Sequence, residues 1–243
     1  MSQTPPNTES PGGDAAAAGA NGRFIFPPWA NYLLPVLVIL VIFAAAYLPV
    51  LLVLGLDPRT TDVGYAPDQP VEFSHALHVG QLGLDCRTCH SNVEDSSFAA
   101  LPTTQTCMSC HTNIRADSPM LEAVRDSYET GEPIAWRKVH DLPDHAYFDH
   151  AAHVNKGIGC VTCHGPVDQM EKMYQHEPLS MAWCLECHRN PERHIRPREE
   201  VFNMDWDPLR DAGRSQQQLG LELLEEYGVE SRYSMESCSR CHR

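Results

Sequence analysis

Five copies of the motif Cys-x-x-Cys-His account for all ten cysteines of this 243-residue chain. In such a motif both thiols add to the vinyl groups of a haem, and the histidine that follows becomes the proximal ligand of the iron. The sequence therefore predicts five covalently bound haem c groups. The attachment residues are Cys86, Cys89 and His90; Cys107, Cys110 and His111; Cys160, Cys163 and His164; Cys184, Cys187 and His188; and Cys238, Cys241 and His242.

Paired cysteines are also typical of zinc ribbons and of disulfide scaffolds, and the spacing from Cys89 to Cys107 suits a ribbon. A tetrahedral zinc ion needs four ligands, however, and nothing in such a site requires a histidine directly after every cysteine pair. A disulfide scaffold gives no reason for the histidines either. Haem attachment is the interpretation that explains all five motifs.

An internal repeat organises the chain around these motifs. The stretches "FSHALHVGQLGLDCRTCH" (73–90) and "FDHAAHVNKGIGCVTCH" (148–164) share the pattern Phe-x-His-x-x-His before a motif, and the first has one extra residue before its cysteines. A second motif follows each of them. We therefore predict two-haem units at 73–111 and 148–188, similar to the modules of class III cytochromes, with the fifth haem site at 238–242 outside the duplication.

The histidine pairs that open the two units have the spacing of neighbours on a helical turn, His75 with His78 and His150 with His153. Two rings so placed cannot occupy opposite faces of one porphyrin. We therefore expect each of the four histidines to be the distal iron ligand of a different haem.

The distal ligand of the fifth haem is less strongly indicated by the sequence. We take His140, just before the second unit, as the first candidate. Methionine is the other usual distal ligand. The alternative candidates are His145, His176, His194, Met181 and Met204.

The N-terminal part predicts a membrane anchor. Residues 1–22 are rich in Pro, Gly, Ala and small polar residues, which favours a flexible tail, and we assign residues 1–32 to the cytoplasm. Residues 33–56 carry no charge and are numerous enough to cross a bilayer as one helix, with Trp29 and Tyr32 as interfacial anchors. A cleaved signal peptide is the alternative, but signal peptides have shorter apolar regions. Because bacterial haem attachment is completed outside the cytoplasm, we assign residues 57–243 to the periplasmic side of the inner membrane.

The expected fold class is mainly α and irregular, since five haems in so short a domain leave little chain for a side-chain core. Two helices are readable from local signals. One begins after Ser118-Pro119, and the other lies within 215–228, with Ser215 and Gln218 as a capping box and Gly228 as its stop.

Charge and motif content limit the possible functions. The net charge of −14 argues against a nucleic-acid partner. No catalytic constellation accompanies the haem motifs, and an iron with two axial ligands leaves no position for a substrate. The sequence therefore predicts electron transfer without a catalytic site of its own.

In addition, the chain resembles the pentahaem cytochrome c subunit of alternative complex III. The resemblance is carried by the single span, the two modules, the fifth motif, and the segments "VHDLPDHAYFDHAAHVNKGIGCVTCHGPV", "EPLSMAWCLECHRNPERHIRP" and "NMDW". It implies an electron-transfer subunit of a respiratory quinol:cytochrome c oxidoreductase. The implied partners are an iron–sulfur subunit related to molybdopterin oxidoreductases, polytopic membrane subunits that bind quinol, and a monohaem cytochrome c or a terminal oxidase.

Two other functions remain open at this point. Membrane-anchored quinol dehydrogenases that supply periplasmic nitrate or nitrite reductases also have one anchor and several haem motifs, but typically four motifs and no duplicated Phe-x-His-x-x-His. A tethered electron shuttle would work without a fixed complex. A single span cannot by itself enclose a quinol pocket, which normally lies between helices.

Overall fold

A computed structural model describes residues 27–56 and 61–242. The chain divides into two units, Met1–Gly55 and Leu56–Arg243. Most of the predicted cytoplasmic tail, residues 1–26, lies outside the described residues.

The first unit is a single apolar helix. A short 3-10 helix, Pro28–Tyr32, leads directly into helix α1, Leu33–Leu56, which contains Pro49 in its interior. These helix bounds are those predicted from the uncharged run. The segment Trp29–Gly55 is long and apolar enough to cross a membrane, and its large side chains are exposed along its length.

The second unit consists of short helices joined by irregular chain. Its described residues form no β-strand, only two isolated antiparallel bridges, Ala146 with His242 and Ile158 with Ile195. The mainly helical and irregular fold class is thereby confirmed. The α-helices are α2 (Thr104–His111), α3 (Glu122–Thr130), α4 (His150–Val154), α5 (Val161–His164), α6 (Met181–Arg189), α7 (Pro208–Ala212), α8 (Gln216–Glu226), α9 (Arg232–Met235) and α10 (Cys238–Cys241). A π-helix spans Ala76–Gln81, and further 3-10 helices span Cys86–Thr88, Pro119–Leu121, Val167–Gln169, Pro191–Arg193 and Arg198–Glu200.

Both helices read from local signals are present. The Pro119–Leu121 turn leads into α3, which ends at Gly131 with φ of 77°, although the side chain of Ser118 makes no capping hydrogen bond. Helix α8 begins after Ser215, whose hydroxyl accepts a hydrogen bond from the backbone N–H of Gln218. The N-cap signal was therefore correct at α8, where the hydroxyl satisfies an otherwise free N–H.

Side-chain packing in the second unit is divided among three small clusters. The cluster on α8 contains Ile195, Leu219, Leu223 and Tyr227. The other two clusters are Val71, Met108 and Val124, and Val93, Val154 and Val201. Such small clusters agree with the expectation that bound porphyrins supply much of the apolar packing surface.

A glycine sets the position of α8. A Cβ added at Gly220 would lie 1.9 Å from the backbone oxygen of Glu192, so the helix backbone contacts the Pro191–Arg193 turn directly. This turn follows α6, which carries the fourth haem motif. Helix α8 therefore supports the chain that continues from the fourth motif.

Candidate haem-binding sites

The two Phe-x-His-x-x-His stretches have matching local geometry. Phe73 lies 4.9 Å from the His75 ring centroid at 84° and 4.4 Å from that of His78 at 23°. Phe148 lies 4.7 Å from the His150 centroid at 90° and 4.5 Å from that of His153 at 25°. In both stretches one aromatic ring therefore holds both imidazoles in defined orientations.

The stretches differ in helix type. The second forms α4, whereas the first forms a π-helix over Ala76–Gln81. A π-helix adds a residue to a helical turn. We interpret it as the way in which the first stretch accommodates its extra residue while keeping Phe73, His75 and His78 in the same mutual arrangement.

The histidines of the motifs and of the paired stretches have their tautomers set by the fold. In seven of them Nδ1 lies at hydrogen-bond distance from a backbone carbonyl oxygen, which can only accept. Nδ1 must then carry the proton, and the lone pair of Nε2 is free to bind a metal. The contacts are His78 to Ser74 (2.9 Å), His90 to Ala100 (2.7 Å), His111 to Ile114 (2.9 Å), His150 to Ser97 (2.8 Å), His153 to Asp149 (2.7 Å), His188 to Met235 (3.1 Å) and His242 to His145 (3.0 Å).

Ring separations test whether these histidines fit a haem iron. Two imidazoles on one iron have centroids about 6 Å apart, because each metal–nitrogen bond is about 2 Å and each centroid lies about 1 Å beyond its nitrogen. Four facing pairs join a predicted distal histidine or candidate to a motif histidine, three of them close to this value and one slightly shorter. They are His78 with His111 (6.2 Å), His150 with His164 (6.4 Å), His153 with His188 (6.1 Å) and His145 with His242 (5.5 Å). The residues present therefore fit haems with two histidine ligands.

His75 is the remaining member of the paired stretches. Its Nδ1 is buried and has no hydrogen-bond partner among the described residues. Burial, together with the neighbouring His90 and His78, lowers its pKa to about 4. By position, His75 is the partner left for His90, the one motif histidine without a facing ring in the other four pairs.

The cysteines are arranged neither as disulfides nor as a metal cluster. All ten are free, and no group of three or more His, Cys, Asp or Glu side chains in the described chain is placed to hold a metal ion. Burial raises the pKa of Cys160 and of Cys163 to about 12. These two thiols therefore lie in surroundings that disfavour a charge.

Comparison with known proteins decides the family. Residues 71–129 match the family model "Cytochrome c7 and related cytochrome c". The chain is 32% identical over 149 residues to "Menaquinone reductase, multiheme cytochrome c subunit" of Nitratidesulfovibrio vulgaris, an alignment that covers 53% of this chain and 70% of that protein. The chain belongs to the multihaem cytochromes c. The predicted cofactor class, haem c, and the role in electron transfer are confirmed with it.

Within this multihaem cytochrome, His140 lies beside a motif histidine. Its Nε2 is 3.3 Å from Nδ1 of His164, and the ring centroids are 4.4 Å apart at 80°. Two nitrogens on one iron would be about 4 Å apart and would both face the metal. The geometry therefore makes His140 a hydrogen-bond partner for the outer nitrogen of His164, Nδ1, while the His164 ring lies 6.4 Å from the His150 ring.

The fifth motif is joined to the chain that precedes the second two-haem unit, 148–188. His242 pairs with Ala146 in a β-bridge, and the backbone N–H of Tyr147 donates to the Cys241 carbonyl oxygen at 2.7 Å. This connection brings the exposed ring of His145 to face His242. Of the candidates for the fifth distal ligand, His145 has the geometry closest to that role.

The other candidates have different surroundings. Half-buried His176 packs against Gly165 and lies 3.7 Å from the carboxylate of Glu177. His194 lines a cavity of about 310 Å³ together with Cys187, and its Nε2 is buried without a partner among the described residues. Met181 is exposed at the start of α6, and Met204 is half-buried.

Sequence reasoning missed the backbone oxygens that orient the motif histidines and the buried side chain of Arg196. The acceptor carbonyls leave no sequence signal, because every residue has one. Arg196 leaves no sequence signal either, because arginines are mostly exposed and its burial here depends on the fold.

Proposed function

We propose that this cytochrome is a membrane-anchored electron-transfer subunit that holds five haem c groups, each with two histidine ligands. A bound haem c supplies a one-electron couple between ferric and ferrous iron. Four histidine pairs carry the proposal, because each places a second imidazole opposite a motif histidine, and His75 is assigned to His90 by elimination. The proposed pairs of distal and proximal ligands are His75 and His90, His78 and His111, His150 and His164, His153 and His188, and His145 and His242.

In this assignment the two units are duplicates. The first histidine of each pair serves the first haem of its unit, and the second serves the second haem. The matched phenylalanine contacts and the 6.1 Å and 6.2 Å separations of the second pairs support this assignment. Each helical turn thereby ties two haem sites together.

A contact between the two two-haem units joins the haem sites of the first and third motifs. Val93, just after the first motif, shares a buried cluster with Val154 and Val201, and Cys160 packs against it. The side chain of Asn155 donates a hydrogen bond to the Glu94 carbonyl oxygen at 2.8 Å. The first site therefore adjoins the third directly.

The fourth and fifth sites are joined through α9. Nδ1 of His188 donates to the Met235 carbonyl oxygen, and Arg189 forms an ion pair with Glu236 at 3.1 Å. Each histidine pair also links the two haem sites of its own two-haem unit. With the haem sites numbered by their motifs along the chain, these contacts support the spatial order second, first, third, fourth, fifth. We propose this order as the route of electrons, so that the second and fifth sites are the ends that meet partner proteins.

The donor and acceptor belong to partner subunits in this proposal. The relative from Nitratidesulfovibrio vulgaris is by name a subunit of a menaquinone reductase, which favours an assembly with quinone-reactive membrane subunits. The chain's resemblance to the pentahaem subunit of alternative complex III leads to the same class of partners: an iron–sulfur subunit related to molybdopterin oxidoreductases, polytopic quinol-binding subunits, and a monohaem cytochrome or terminal oxidase. Helix α1 would anchor the subunit in the inner membrane, with the haem domain in the periplasm.

The test is purification in a mild detergent through an affinity tag placed after Arg243, with an untagged strain as control. Haem content and mass should first show five haems per chain. Co-purification of an iron–sulfur subunit and polytopic membrane subunits, and reduction of the haems by a quinol in that preparation, are the expected results. Recovery of the cytochrome alone, under conditions that keep other respiratory complexes intact, would contradict the complex and favour a tethered shuttle.

A further inference from the structure

The duplication places an equivalent turn just before the first motif of each two-haem unit. Residues 82–84, Leu-Gly-Leu, stand where the second two-haem unit has Lys-Gly-Ile at 156–158. Both glycines have left-handed backbone, with φ of 68° at Gly83 and 80° at Gly157. In both turns the backbone N–H after the glycine donates to the carbonyl oxygen of the second histidine of the pair, at 3.0 Å. The two turns therefore have the same conformation and present equivalent faces.

In the second two-haem unit this face is covered by the chain 195–227, which includes α8. A Cβ added at Gly157 would lie 2.3 Å from the Arg196 carbonyl oxygen and 3.1 Å from the Tyr227 ring. The backbone N–H of Arg196 also donates to the Gly157 carbonyl oxygen at 2.8 Å. The Arg196 side chain rests on Gly159, where an added Cβ would be 2.4 Å from its Cζ. Backbone pairing and side-chain contact together seal the face.

In the first two-haem unit the equivalent face is uncovered in the described chain. A Cβ added at Gly83 would meet nothing within 4 Å, and no backbone N–H of the described residues donates to the Gly83 carbonyl oxygen. Leu82 is 63% exposed and Leu84 is 38% exposed, whereas Ile158, the counterpart of Leu84, packs against the cluster on α8. Apart from the histidine pair, residues 73–84 include no acidic or basic side chain. We call residues 82–84 the uncovered face.

The covered copy indicates what kind of molecule fits the uncovered face. In the second two-haem unit the covering chain supplies a backbone N–H to the glycine carbonyl oxygen, which a polypeptide can do and a lipid chain cannot. A second copy of this chain is poorly suited, because Leu219 and Leu223, the apolar side of its α8, are already buried. Exposed leucines without nearby charge favour an apolar surface on the polypeptide that binds them.

We propose that the uncovered face, Leu82, Gly83 and Leu84, is the docking site for an uncharged apolar segment of a different protein subunit. That segment would do for the first two-haem unit what residues 195–227 do for the second. The inference rests on the proposed function, because it requires a complex with other subunits. The uncovered face adjoins the first motif, which is internal in the proposed order of haem sites, so docking there leaves the second and fifth sites free to exchange electrons.

The first test is photo-crosslinking in native membranes from benzoylphenylalanine placed at position 82 of the full-length cytochrome. Leu82 is exposed, and the replacement is apolar, so the face keeps its character. We expect an adduct with a subunit that also co-purifies with the wild-type protein, identified by mass spectrometry. The same group at position 221, where Leu221 is 55% exposed on α8, should give no such adduct. An adduct with a second copy, an adduct with lipid, or no adduct at position 82 would overturn the inference.

The second test is Leu82→Glu, which carries a charge into the proposed contact. Burying an unpaired carboxylate is costly, so recovery of the partner subunits per haem in mild detergent should fall at least about tenfold. Haem content and the free energy of unfolding should stay unchanged, and Leu221→Glu should leave recovery unchanged. Unchanged recovery in a haem-complete Leu82→Glu protein would overturn the inference, and the crosslinking result decides if this variant does not fold. A wild-type cytochrome that purifies alone would overturn the proposed complex instead.

Discussion

Replacing His145 with alanine tests the assignment of the fifth haem. The backbone oxygen of His145 would still accept from Nδ1 of His242, so the proximal ligand should keep its orientation while the facing ring is lost. The fifth iron then has one axial histidine, and its ferric form should become high-spin and its ferrous form should bind carbon monoxide. Because one of five proposed sites is affected, about one fifth of the haem should change.

The matched variant is His140→Ala. The Nε2 of His140 lies 3.3 Å from the outer nitrogen of His164, which is too close and wrongly placed for two ligands of one iron. All haems should therefore stay low-spin. The third haem should instead rise in potential, because His164 loses the acceptor that makes it a stronger electron donor.

High-spin iron is measured by electron paramagnetic resonance against total haem, and carbon monoxide binding by difference absorbance in the same samples. High-spin haem in His140→Ala together with fully low-spin haem in His145→Ala would refute the reasoning from ring separations.

Three further predictions follow from other contacts. His153→Met should leave the fourth haem low-spin and raise its potential in a redox titration, and an unchanged set of potentials would contradict the assigned pair. Gly220→Ala should lower the free energy of unfolding by about 1–3 kcal/mol in denaturant titrations, since the new methyl group meets the Glu192 carbonyl oxygen, whereas Leu221→Ala on the exposed face should change it little. As a proposed iron ligand, His75 cannot take up a proton in the folded chain, whereas the unfolded chain takes one up below the ordinary pKa of 6.5; the free energy of unfolding should therefore fall by up to about 1.4 kcal/mol per pH unit as the pH decreases below 6.5, and a flat profile in denaturation followed by haem absorbance would contradict this.

Several parts of the fold were predictable because their signals are local. The uncharged run 33–56 predicted the bounds of α1, and Ser215 predicted the start of α8 through one hydrogen bond to a residue three positions on. At Ser118 the same kind of signal was only half correct: the helix forms, but a 3-10 turn precedes it and the serine side chain makes no cap.

The choice between His140 and His145 could not be made from the sequence. Both histidines lie in the same short segment before the second two-haem unit, and neither belongs to a repeated pattern. Their different surroundings depend on the bridge between Ala146 and His242, a contact between residues 96 positions apart along the chain. No local pattern encodes such a contact.

The sequence by itself determined where haem can be attached, because thioether formation and proximal ligation need only five consecutive residues. It also predicted that the paired histidines serve different haems, since their spacing is set within one helical turn. Only the tertiary structure decided which imidazoles face each other, which carbonyl oxygens set their tautomers, and that Arg196 is buried against Gly159. Those relations depend on distances between segments remote in sequence, and packing of the whole domain is what sets such distances.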